Sequence, residues 1–103
     1  MIHYEKVVYI SHPYGGRDSN KQDIENTILR LNKLYPTYLF LSPVNTFGFE
    51  YYECSYEDGI KKCLWLLDRC DEMWVFGDDY EQSRGCMTEI QYCCDNNIPY
   101  VIK

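Results

Sequence analysis

Apolar and polar positions along this chain follow two alternating periods, one that suits strands and one that suits helices. Between Lys6 and Ser11 the run Val7-Val8-Tyr9-Ile10 is unbroken, β-branched and aromatic, and Gly15-Gly16 follows, which predicts a buried strand ending in a tight loop. The period then lengthens. Ile24, Ile28 and Leu31 share one helical face until Tyr35-Pro36, and Ser19 with Gln22 has the spacing of a capping box at its start. Tyr38-Leu39-Phe40-Leu41 predicts a second strand closed by Ser42-Pro43, where a residue without an N–H suits a strand end. The stretch 47–56 mixes aromatic and polar residues without a period and reads as a loop over a site. Ser55 is placed to cap a helix that carries Ile60, Leu64 and Leu67 on one face, with Glu57 and Asp58 in its first turn. Met73-Trp74-Val75-Phe76 predicts a third strand, turned by Gly77-Asp78-Asp79. Met87, Ile90 and Cys94 then space out as a last helix, Asn96-Asn97 ends it, and Tyr100-Val101-Ile102 makes a fourth strand.

Strands that alternate with helices pair in parallel through right-handed crossovers. The expected fold is therefore α/β: a flavodoxin-like three-layer sandwich with a short parallel sheet of four strands, order 2-1-3-4, and helices on both faces. With 103 residues, 46% of them apolar, the chain fills one ordinary core, so residues 1–103 are expected to form a single domain. Ligands of such sheets sit outside the carboxyl ends of the strands where the order reverses, here between strands one and three. Residues 11–17 and 78–89 should thus line one crevice.

A net charge of −6 removes polymeric nucleic acid from the expected partners, because no basic stripe is present to neutralise a phosphate backbone. A single phosphate on a helix N-terminus remains compatible with that charge. No run approaches the roughly 20 apolar residues of a membrane span, and the first six residues lack the layout of a secretory signal, so a soluble, cytoplasmic protein without a membrane partner is expected. The six cysteines form no C-x-x-C pair and read as reduced thiols, with Cys63 and Cys70, and again Cys86 and Cys93, spaced to lie along buried helical stripes. His3 and His12 are remote from them, so neither a metal nor another cofactor is expected.

Two segments carry candidate chemistry. The loop Ser11-His12-Pro13-Tyr14-Gly15-Gly16-Arg17 joins a strand to a helix, and its glycines would let backbone N–H groups approach an anion; the plain alternative is a tight turn with a solvated arginine. The segment from Ser83 through Gly85 to Glu89 opens the last helix and offers a second anion site facing the first. Glu89, flanked by Met87 and Ile90, either points into a wet cleft or is an ordinary surface glutamate. The aromatic residues Phe47, Phe49, Tyr51, Tyr52 and Tyr56 would serve to stack on a nucleobase or as an oligomer contact.

The runs VYISHPYGGR, LFLSPVN, LLDRCDEMWVFGD and SRGCMTEIQYCCDNNIPYV together resemble the nucleoside 2-deoxyribosyltransferase-like superfamily, in its short bacterial and phage branch, over nearly the whole chain. That resemblance implies that Glu89 is a nucleophile toward C1′ of a nucleoside or nucleoside 5′-monophosphate. It also implies that Ser83, Gly85, Gly15, Gly16 and Arg17 surround a 5′-phosphate, with Ser11, Tyr14 and Asn45 as further binding positions. Asp78 or Asp79, at the strand end, would protonate the leaving base. A homodimer or larger homo-oligomer is implied as well. Two departures from the family pattern stand out: Cys63 occupies the place of a helix aspartate, and Tyr14 that of an arginine in the phosphate-binding branch. The function expected is an N-glycosidase or 2-deoxyribosyltransferase. The alternatives are a non-catalytic protein that binds a nucleotide-derived ligand, or a structural protein of the same fold.

Overall fold

The computed structural model describes all 103 residues. Its strands β1 (Lys6–Ser11), β2 (Tyr38–Leu41), β3 (Glu72–Val75) and β4 (Tyr100–Ile102) alternate with helices α1 (Asp18–Leu34), α2 (Pro43–Phe47), α3 (Tyr56–Leu67) and α4 (Arg84–Asn96). The strands form one all-parallel sheet in the order β2-β1-β3-β4, with Val8 opposite Phe40 on one side and Tyr9 opposite Met73 on the other. The α/β architecture and strand order expected from the sequence are therefore observed.

The two-residue period of β1 sorts its side chains onto two layers. Val8 and Ile10 pack with Leu31 of α1, Phe40 and Trp74 on one face. Tyr9 packs with Leu67, Met73, Val75 and Cys93 on the other, beneath α3 and α4. Tyr35, Phe40 and Trp74 pack ring to ring under α1, with centroids 5.3 to 6.2 Å apart. At the amino end of the strands the Asp71 carboxylate accepts a hydrogen bond from the Val7 N–H at 2.7 Å, which leaves the opposite, carboxyl end for the loops. No helix is long and apolar enough to cross a membrane.

Three local expectations are corrected. Ser19 does not cap α1: the helix starts at Asp18 with Arg17 at its N-cap, and no side chain caps it. Asn20 instead donates to the Tyr14 carbonyl at 2.9 Å, so the entry to α1 is tied down through the preceding loop. Ser42-Pro43 does more than close a strand. Ser42 caps α2, its Oγ accepting from the Val44 N–H at 3.1 Å, and Pro43 sits in the first turn, where its missing N–H costs nothing. The stretch read as a loop thus begins helical and continues in a 3₁₀ turn, Gly48–Glu50. In α4 the buried stripe is Cys86, Glu89 and Cys93, whereas Met87 and Cys94 are exposed.

Candidate functional site

Glu89 defines the site. Ser83 starts α4 by accepting the Cys86 N–H on its Oγ at 3.2 Å, and that phase turns position 89 inward onto the sheet. Glu89 keeps only 5% of its surface exposed. Tyr9 and Ser11, alternate residues on the α4 face of β1, meet it there: the Tyr9 hydroxyl donates to Oε2, and the Ser11 Oγ donates to Oε1 at 2.7 Å. A buried carboxylate without partners would be prohibitively costly, and these two donors satisfy and orient both oxygens. Burial nevertheless dominates, pushing the Glu89 carboxyl up to about 7 although both hydrogen bonds favour its charged form. Tyr9 is held well above the usual phenol range by its own burial and by the Glu89 charge, so it remains a donor.

The carboxylate reaches a cleft of about 510 Å³ at the carboxyl end of the sheet. Two loops converge there, as the topology requires. Gly77, at the end of β3, has φ +101°, and a Cβ on it would lie 2.7 Å from the Pro13 Cδ, so the turn after β3 packs directly on the loop after β1. In that first loop the Arg17 N–H closes onto the Tyr14 carbonyl at 3.1 Å, around Gly15 and Gly16, both at positive φ.

Of the positions singled out in the sequence, Tyr14, Gly15, Arg17, Asp79, Ser83, Gly85 and Glu89 line the cleft together. Ser11 is fully buried and acts through Glu89 instead of facing the cleft. Gly16 lies just off the lining under the Tyr51 and Tyr52 rings. Asp78 and Asn45 do not line it and are exposed. For Asn45 the reason is α2, which turns Val44 and Phe47 toward the cleft and position 45 away. Among the aromatic residues Phe47, Tyr51 and Tyr56 line the cleft, and Phe49 and Tyr52 do not.

Cys63 was marked in the sequence only as a departure from the resemblance, and Arg84, Lys62 and Glu50 went unseen. Cys63 of α3 faces the cleft, its thiol pushed up to about 12 by burial and by the Glu89 charge, so it is a neutral neighbour. Arg84 stacks over the Tyr56 ring at 3.8 Å, while Lys62 pairs with Glu50 at 2.6 Å on the wall made by α3 and the 3₁₀ turn. Tyr9 was legible in principle, because it shares the face of β1 with Ser11. Compared with protein-family models and with curated proteins, the sequence shows no match. No group of three His, Cys, Asp or Glu side chains is placed to hold a metal ion. The arrangement offers one buried, oriented carboxylate at Glu89, two further carboxylates at Asp79 and Glu50, and three cations, Arg17, Lys62 and Arg84, along the same cleft.

Proposed function

We propose that this chain is an N-glycosidase or 2-deoxyribosyltransferase of the nucleoside 2-deoxyribosyltransferase-like kind, acting on a nucleoside or its 5′-monophosphate with Glu89 as nucleophile. The observation that carries the reading is the Glu89 carboxyl itself: buried, held by Tyr9 and Ser11, and open only to a ligand-sized cleft. In the proposed step a Glu89 oxygen bonds to C1′ as the C1′–N bond breaks, and the bonding pair leaves with the base nitrogen, which takes a proton from Asp79. Tyr9 and Ser11 keep the carboxylate aimed, so little reorganisation is needed at the moment of attack. Water, or a second base, then attacks C1′ from the opposite side and gives its proton to the Asp79 carboxylate as the C1′–O bond breaks and the Glu89 carboxylate is released. Arg17, Arg84 and the N–H groups at the start of α4 favour a phosphate on the same ligand.

Base release from a panel of nucleosides and 5′-monophosphates tests this. Wild-type protein is expected to free a base, and Glu89→Ala to lose that activity by at least roughly a thousandfold, as removal of a covalent nucleophile does. Identical, background-level release from both proteins sinks the proposal. A second reading, a binding protein that leaves its ligand intact, is favoured by Cys63, whose neutral thiol stands where the resemblance calls for a helper carboxylate. Calorimetric binding with the ligand recovered unchanged distinguishes it.

A further inference from the structure

Away from Glu89 the cleft wall carries an ion pair that the proposed chemistry does not use. Lys62 of α3 and Glu50 of the 3₁₀ turn meet at 2.6 Å with their side chains 43% and 28% exposed, and both line the cleft. An ion pair that wet contributes at most about 1 kcal/mol to stability, so the fold has little need of it. Its local framing is nonetheless specific. The Lys62 ammonium sits 5.9 Å from the Phe47 ring centroid, and the backbone carbonyl of Glu50 accepts from the Cys54 thiol at 3.5 Å, which anchors the turn. Lysine has three N–H donors and carboxylate two acceptor oxygens, so after the bond between them the pair still presents free donors beside a free acceptor. Phe47 adds an aromatic face next to that polar edge.

We propose that Lys62 and Glu50, with Phe47, form the specificity element for the base of the ligand, a planar heteroaromatic ring whose edge carries an acceptor next to a donor. The ammonium takes the ring's carbonyl oxygen or ring nitrogen, the free carboxylate oxygen takes the adjacent N–H, and Phe47 covers a face of the ring. This rests on the nucleoside reading of the cleft but not on Glu89 being catalytic. Rings with such an edge are hypoxanthine, guanine and uracil, with a carbonyl beside N–H, and adenine and cytosine, with a ring nitrogen beside an amino group. Benzimidazole has the flat shape, but its N–H and its ring nitrogen diverge across a five-membered ring, so it cannot offer both to one lysine–carboxylate pair.

Titration of the free bases and of benzimidazole into the protein, followed by calorimetry, separates the outcomes. At least one base is expected to bind roughly tenfold or more tightly than benzimidazole, the worth of one or two well-made hydrogen bonds. Lys62→Met and Glu50→Gln should each erase that preference while benzimidazole binding stays within about twofold. The exchanged pair, Glu50→Lys with Lys62→Glu, restores the salt bridge but inverts the edge. If the pair only braces the wall, the exchange restores wild-type base preference and overturns the proposal. It is overturned equally if the wild type does not prefer any base, or if the single variants keep the wild-type ranking. Base preference without base release would refute catalysis by Glu89 and leave this inference standing.

Discussion

At the scale of single residues, the raised Glu89 carboxyl makes a stability prediction whose sign is fixed. Because its folded value, about 7, lies above the ordinary 4.5, the folded state holds the proton more tightly than the unfolded chain. Stability is therefore lost as pH rises between those values, and above about 7 the cost levels off at roughly 3 kcal/mol. Glu89→Gln carries no charge to bury. It should be more stable than wild type at pH 8 and lose that advantage near pH 4.5, as thermal melts at the two pH values will show. Tyr9→Phe removes a donor that favours the charged carboxylate, so the rise of base release with pH should move upward, with a stability loss of about 1–3 kcal/mol. An unmoved pH profile would mean that Tyr9 serves only as packing. Neither partnership can be read from residue types alone, since a tyrosine in a strand usually signals packing and a serine after it a strand end.

Helix starts and buried stripes decide the outcome at the scale of elements. Ser83 and Ser42 make cap hydrogen bonds and Ser19 makes none, although all three have the sequence setting of a cap. Unfolding free energies from urea denaturation should therefore fall by about 1 kcal/mol for Ser83→Ala and for Ser42→Ala, and stay within about 0.5 kcal/mol for Ser19→Ala. The spacing of apolar residues located α1, α3 and α4; in α4 the set Met87, Ile90 and Cys94 missed the inner face, which the seven-residue spacing of Cys86 and Cys93 marked correctly. Met87, Ile90 and Cys94 keep a helical period, yet the buried stripe contains a carboxylate, which any reading by hydrophobicity assigns to the outside. The helix whose buried stripe breaks the hydrophobic rule is the one that holds the candidate chemistry.

For the whole molecule, the cleft exists because two loops far apart in the chain are pressed together at one end of the sheet. Gly77→Ala should separate them, since its Cβ would meet Pro13 and its φ of +101° excludes most side chains; a loss of about 1–3 kcal/mol together with weakened ligand binding is expected in denaturation and titration. All six thiols are free, so reductant should leave the melting temperature unchanged and a thiol titration of the unfolded protein should count six. Strand and helix periods, with the right-handedness of parallel crossovers, were enough for the sequence to determine the strand order and the end of the sheet where a ligand would sit. Those signals are local, each spanning a few residues. Which side chains meet there was decided only by tertiary packing: Glu89 finds its donors 80 and 78 residues away, and Lys62 finds Glu50 through a turn with no periodic signature. A hydrogen bond between distant segments depends on how a helix rotates against a strand, and that rotation follows from the packing of the whole core.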